Sequence, residues 1–356
     1  MAALFAAAAA FIPATEAVAA EAVLRVVDVG NALCVVAKVP GNHFMLYDAS
    51  EAHRTECKEA VQDIVGSDKL DLVVISHSDQ DHNGELAEIL ATRETELIVH
   101  TGAQLARTIR PNILREFNRR TAVRPESVRN LETSPLPNAP TNGNPQLAPL
   151  RIPLGDATVT FVAGWNAWPP DEGETRRGLS PGERKNVISI VVRFEYGGKS
   201  VLLTGDTIGR RGSDAEDFCG YAEKWMIQRG NASIDSDVLV GQHHGGNNSS
   251  SKCFIEAVSP KFVIFPAGRG SNDHPRKAAV ERLFSQALPA HLRVPTGNIF
   301  RTDRGDDEGL LEWDGERVLR CKDRSGDDDV EIILSDLPGV DPEVRYRRAP
   351  RPCRAR

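Results

Sequence analysis

Beyond its N-terminal segment the 356-residue chain has no apolar run long enough for a membrane helix, which excludes a polytopic channel. Its six cysteines lack zinc-knuckle spacing, so a cysteine-based structural zinc site is excluded as well. Cys34, Cys57, Cys219, Cys253, Cys321 and Cys353 are an even set that export would allow to pair, but their wide spacing prescribes no pairing; ordinary thiols are the default expectation. Basic residues are outnumbered, 43 against 50 acidic, for a net charge of −7, which argues against broad nonspecific binding to nucleic acid. No internal repeat of useful length is present, which removes solenoid and propeller arrays.

The richest segment is LDLVVISHSDQDHNGEL at 70–86. Leu72 to Ile75 reads as an interior strand, Asn83-Gly84 as a turn, and the following GELAEILAT as an amphipathic helix. His77, Asp79, Asp81 and His82 therefore fall on a strand-to-helix loop, where imidazoles and carboxylates can be aimed at two neighbouring points. Downstream, ISIVVRFEYGGKSVLLTGDTIG reads as a hairpin whose second strand ends at Asp206. That carboxylate is either a turn residue or a bridge between paired metals. In VLVGQHHGGNNSSS a short strand, Val238 to Val240, runs into His243 and His244, and paired histidines at a strand end are rarely packing residues.

With LRVVDVGNA, MLYDAS, SHSDQDHNG, NVISIVVRF, YGGKSVLLTGDT, the QHHGG segment, FIEAVSPKFVIFPAGRGSNDHP and PTGNIFRTDRG in this order, the chain resembles the metallo-β-lactamase superfamily. Within it, the resemblance is to the hydrolase domain of ComEC-type DNA-uptake competence proteins, and it covers residues 23–312. It implies a four-layer αβ/βα sandwich, an α/β fold with metals at one edge of paired sheets. It also implies that His77 and Asp79 hold one divalent metal ion, and that Asp81 and His82 hold a second. Asp206 would lie between them, and one of His243 and His244 would complete the second site. His244 is the favoured ligand, leaving His243 to face substrate. His274, in Asn-Asp-His-Pro, matches a late histidine of the competence-type domain and is a candidate for binding substrate or protonating a leaving group, or else a turn residue before Pro275. The catalytic candidates are thus Asp81, His243 and His274.

The chain departs from the superfamily pattern in three places. Most members carry histidine where Asp79 stands, and a further ligand histidine where this chain has Asn186, expected at the start of the strand before the hairpin. His100, in LIVHTG, is the other candidate for that role, or an ordinary strand-end histidine. The Asp-Val-Gly-Gln-Gly-Asp start is replaced by Asp28-Val29-Gly30-Asn31-Ala32-Leu33. A carboxylate in place of imidazole makes the first position harder, so manganese, iron or magnesium compete with zinc more readily; zinc or manganese is expected. Two such ions suit metal-assisted hydrolysis. A phosphoester, in a small molecule or nucleic acid, is the leading substrate. An acyl bond (lactam, lactone or thioester) is the alternative, and a metal-binding protein with little catalysis a second one, because the scaffold alone does not choose.

Residues 103–130 carry seven arginines (Arg107, Arg110, Arg115, Arg119, Arg120, Arg124 and Arg129) without aromatic interleaving: a phosphate-tracking face or a solvated helical surface, and no single-strand stacking platform. One domain, 23–335, is expected, with insertions near 103–150 and 165–185. The second insertion precedes Asn186. Its Trp165, Trp168, Arg176 and Arg177 either contact substrate or, for the tryptophans, anchor the loop; Asn186, His274, Arg176 and Arg177 complete the substrate-binding candidates. Residues 1–20 resemble a signal peptide without the usual positive start, which favours a periplasmic or secreted location, or a cytoplasmic one if the segment is kept. Residues 336–356 read as a basic, disordered tail.

Overall fold

A computed structural model describes residues 19–100, 128–130, 150–164, 178–211, 213–215, 217–229, 233–268, 274–303 and 328–348. Strands β1 (Glu21–Val26), β2 (Val35–Val39), β3 (His43–Tyr47), β4 (Leu70–Ile75), β5 (Thr95–His100) and β6 (Val128–Asn130) belong to one sheet. A second sheet contains β7 (Leu150–Leu154), β8 (Ala157–Ala163), β9 (Val191–Tyr196), β10 (Lys199–Leu203), β11 (Val238–Val240), β12 (Phe262–Phe265) and β13 (Ile299–Arg301). The chain then returns to the first with β14 (Val330–Ser335) and β15 (Glu343–Tyr346). The orders are β15-β14-β1-β2-β3-β4-β5-β6 and β13-β12-β11-β10-β9-β8-β7.

The apolar pattern explains the layering. In β4, Leu72 and Val74 enter the core between the sheets, whereas Val73 and Ile75 face outward against helices. Burial on both faces is why this strand reads as a continuous apolar run. Helices α1 (Glu56–Val65) and α3 (Leu86–Thr92) cover the first sheet through Val61, Val65, Leu86 and Ile89. Between them in sequence lies the single turn α2 (Gln80–Asn83). After α4 (Pro181–Asn186), helices α5 (Tyr221–Arg229), α6 (Lys252–Val258) and α7 (Lys277–Phe284) cover the second sheet through Met226, Phe254, Ile255 and Leu283. The result is the αβ/βα sandwich expected from the sequence.

Strands β3 to β6 are parallel neighbours, as are β10 to β13, so their carboxyl ends gather at common edges. The loops after β4, β10, β11 and β12 leave from there, where open α/β sheets place ligands. The two sheets are latched at this edge: Tyr47 OH donates to Ile190 O at 2.6 Å, and Ile190 N donates to Ser76 O at 2.9 Å.

Several expectations need correction. Asn186 does not open a strand; it ends α4, and β9 starts only at Val191, because a turn closed by Ser189 N on Asn186 O intervenes. The domain does not stop at 335: β15 pairs with β14, with Val344 and Tyr346 packing toward the inter-sheet core and Glu343 and Arg345 outward. Arginine-rich surroundings concealed that period-two alternation. Part of the expected 103–150 insertion, Val128–Asn130, is paired with β5. Four cysteines are not thiols: Cys34 pairs with Cys57 and Cys219 with Cys253. Residues 1–18, 103–127, 131–149, 165–177, 304–327 and 349–356, with Cys321, Cys353, Arg176 and Arg177 among the candidates, lie outside the described residues. Among the described residues no helix is long and apolar enough to cross a membrane.

Candidate metal centre

The loop after β4 is held by backbone bonds on both sides. Leu33 N donates to Asp81 O at 3.1 Å and Ala49 N to His82 O at 2.7 Å, so the turn α2 is clamped by the loops after β1 and β3. Asp81 and His82 thereby sit in a helical turn rather than an open loop, with Asp79 at its N-cap. Gly205, at φ 52°, lets the β10 end press against Ser76: a Cβ there would lie 2.7 Å from the Ser76 Cβ. Asp206 follows directly and is buried.

Four histidines converge on the two oxygens of Asp206. His82 Nε2 lies 3.2 Å and His244 Nε2 3.5 Å from Oδ1; His77 Nε2 and His243 Nε2 each lie 3.8 Å from Oδ2. Asp81 faces the first pair, 4.0 Å from His82 Nε2 and 3.6 Å from His244 Nε2, while Asp79 Oδ2 is 3.7 Å from His77 Nε2. Among the described residues two sets have donor atoms within 4.8 Å of one another: His77, His82 and Asp206, and Asp81, His82 and His244.

Outer contacts set which ring nitrogen is available. The Nδ1 of His82 faces Asp48 Oδ2 at 2.8 Å, that of His244 faces Pro266 O at 2.8 Å, and that of His243 faces Asn248 Oδ1 at 2.7 Å. Each acceptor takes an Nδ1–H; on His82 and His244 this leaves the Nε2 lone pair aimed at the centre, whereas on His243 it is met by Asn186 Nδ2. The Nε2 atoms of His77, His82 and His244 and Oδ1 of Asp206 are buried without a hydrogen-bond partner. Four orphaned acceptors around one point are costly unless a cation satisfies them, so this donor set fits divalent metal.

Electrostatics agree with that need. Burial opposes ionisation of Asp206, yet the His82, His244 and His243 imidazoles hold its carboxyl well below the usual range. Asp81 is lowered in the same way against burial, by His82 and His244. Burial would lower His82 and His244, but the carboxylates, Asp206 foremost, hold both above their ordinary values. The carboxylates demand positive charge.

His243 and His244 are both left-handed, with φ of 47° and 54°, a conformation that costs roughly 1–2 kcal/mol per non-glycine residue. A buried polar network holds it. Gln242 Oε1 accepts from Ser250 N at 3.0 Å, Ser249 Oγ donates to Gln242 O at 3.0 Å, and Arg282 from α7 donates to the carbonyls of Asn247, Ser249 and Ser250.

His274 joins the group: its ring centroid is 5.4 Å from His243 and 6.0 Å from His244. Burial first, then the charges of His244 and His243, pushes it down to about 3, so it is a neutral imidazole. Asn186 Nδ2 lies 3.2 Å from His243 Nε2, and Lys185 Nζ forms an ion pair with Asp79 Oδ1. His100 closes β5 and belongs to neither donor set. Asp48, Lys185 and Asn248 were missed by sequence reasoning. Asp48 lay in the quoted MLYDAS segment at a strand end, which was the available signal; Lys185 and Asn248 carried none.

No family profile matches the chain. It is 32% identical over 115 residues to Competence protein ComA of Neisseria gonorrhoeae, covering 31% of this chain and 15% of that protein. It is 24% identical over 262 residues to ComE operon protein 3 of Bacillus subtilis (strain 168), covering 73% of this chain and 26% of that protein. The chain thus spans at most 26% of the length of these curated relatives. Among solved structures, the metallo-beta-lactamase fold protein YhfI from Bacillus subtilis aligns with a TM-score of 0.42 at 12% identity, over 79% of this chain and 95% of that one. CmlA, a diiron beta-hydroxylase from Streptomyces venezuelae, aligns with a TM-score of 0.44 at 15% identity, over 79% and 53%. The chain has a two-sheet αβ/βα fold, and its sequence is similar to parts of two competence proteins, ComA and ComE operon protein 3.

Proposed function

We propose that the chain is a binuclear metallohydrolase acting on phosphoester bonds, nucleic-acid phosphodiesters among them. The observation that carries this reading is the division of Asp206, with His82 and His244 on one oxygen and His77 and His243 on the other. In it His77, Asp79 and Asp206 would hold the first ion, and Asp81, His82, His244 and Asp206 the second, with His243, whose Nε2 accepts from Asn186 Nδ2, left to face substrate. Bound there, zinc or manganese would acidify a water and stabilise negative charge at the attacked centre. Asp48 and Pro266 O keep the Nε2 lone pairs of His82 and His244 pointed inward, and Asn248 fixes the His243 ring. His274, neutral beside the cluster, donates a hydrogen bond to substrate rather than serving as a charged acid. Asn186 orients His243 through its Nδ2; Arg176 and Arg177 remain candidates for the substrate's anionic part. The competence-type relatives favour a phosphodiester over an acyl bond, and the two disulfides favour an oxidising compartment, periplasmic or extracellular.

The test is turnover of bis(p-nitrophenyl) phosphate and single-stranded DNA by metal-free protein reloaded with manganese or zinc, beside lactam and lactone substrates. Metal-dependent phosphodiester cleavage that Asp81→Ala abolishes is expected. Acyl turnover alone, lost in Asp206→Ala, would instead make the chain an acyl hydrolase. Absence of both metal retention and turnover would leave a binding protein.

A further inference from the structure

Resting on this metal-centre reading, we propose that Lys185 is a built-in counter-cation of Asp79, which makes the first metal position the weaker and more exchangeable of the two. Its ammonium pairs with Asp79 Oδ1, the carboxylate whose other oxygen faces His77. The placement is fixed by local structure. Lys185 lies in the last turn of α4, whose start is set by a capping box: Ser180 N donates to Glu183 Oε2 at 2.8 Å, and Glu183 N donates to Ser180 Oγ at 3.3 Å. The end is closed by Val187 N on Glu183 O at 2.9 Å, with Asn186 buried against His243.

The two positions therefore differ in charge. Among the described residues no lysine or arginine pairs with Asp81, His82 or His244, whereas Asp79 belongs to neither tight set and is engaged by an ammonium. A dication approaching Asp79 must displace that ammonium or bind beside it, and like charges at contact range repel. The side chains of Lys185 and Asp79 are 40% and 29% exposed, so the pair is screened and can open toward solvent. The second position fills first; the first fills in exchange for a lysine.

The experiment titrates metal-free full chain with manganese alone, reading bound metal by equilibrium dialysis and elemental analysis. It compares wild type, Lys185→Gln and Lys185→Arg, with circular dichroism confirming the fold of each. Wild type is expected to bind one tight and one weaker equivalent. Lys185→Gln should tighten the weaker one by about tenfold or more, the scale of one charge removed near a protein surface, and leave the tight one unchanged. Lys185→Arg should keep the wild-type inequality. Two equal equivalents in wild type, or an unchanged weak constant in Lys185→Gln, would overturn the proposal and leave the two-metal reading standing. Binding of no metal by any of the three would remove the metal-centre reading itself, and this proposal with it.

Discussion

His82 Nδ1 lies 2.8 Å from Asp48 Oδ2, and both side chains are fully buried. Asp48 also accepts from Ser76 N at 2.6 Å and Ser76 Oγ at 2.7 Å, so one carboxylate orients a histidine and anchors the loop that carries His77. Asp48→Asn keeps the volume but turns an amide donor toward His82, moving the ring proton to Nε2. Metal affinity at the second position should fall roughly 10–100-fold, the range for losing such an outer partner. Equilibrium dialysis with manganese on a variant of native circular dichroism checks this; an unchanged affinity would restrict Asp48 to a structural role. Asp48→Ala, which strands buried donors, should instead cost about 1–3 kcal/mol of stability.

Glu223 on α5 is fully buried and accepts from Ser251 N, backing the loop that presents His243 and His244. Burial, the dominant influence, raises its carboxyl from 4.5 to about 7. Because the folded value exceeds the unfolded one, the stability it confers is fully present below about pH 4.5 and is lost as pH rises to about 7. Glu223→Gln carries no such titration, so its stability relative to wild type should rise by roughly 3 kcal/mol across that window. Urea denaturation of the metal-free proteins at several pH values measures it. Parallel curves would show that Glu223 is already ionised in the acid range.

The bridges flank the centre. Cys34 follows Leu33, whose amide holds Asp81 O, and Cys253 lies in the first turn of α6 just after the polar loop. With sequence separations of 23 and 34, each should contribute about 3–4 kcal/mol by restricting the unfolded chain. Protein prepared under oxidising conditions should yield both cross-links on non-reducing peptide mapping, and its melting temperature should fall on reduction. Free thiols at these four positions would contradict the pairing and weaken the case for an exported protein.

The strand ends that carry the donors were legible because chemistry and periodicity coincide there: a buried run such as LVVI followed abruptly by His, Asp and His has few other uses. Val238–Val240 forms a strand at its expected bounds for the same reason. β13 and β15 were not legible, being three- and four-residue strands within polar surroundings. Lys185 and Asn248 were hidden for a different cause. Each meets its partner only after the chain has folded, Lys185 across 106 residues to Asp79, and no local pattern encodes such a meeting. The helical placement of Asn186 was obscured because PGERKN carries no apolar face long enough to register as a helix, although Ser180, Pro181 and Glu183 spelled out its cap.

Gly84 tests whether the backbone around α2, rather than the ligands themselves, sets the centre's geometry. Its amide donates to Ser50 O at 2.7 Å, and a Cβ built on it would overlap the backbone of Glu51 and Ala52. Backbone cannot yield as a flexible side chain can, so Gly84→Ala must shift α2 away from the loop after β3. That shift strains the Ala49 N bond to His82 O and draws His82 from Asp48. The expected cost is about 1–3 kcal/mol of stability, the range for overpacking, together with loss of the tight metal equivalent. Gly182→Ala on α4 is the control: nothing lies within 4 Å of its Cβ position, and alanine in a helix is favoured by up to about 1 kcal/mol. Thermal melts and metal titration of the two variants separate the cases. Should Gly84→Ala bind metal as tightly as Gly182→Ala, the clamp on α2 would not be what positions Asp81 and His82.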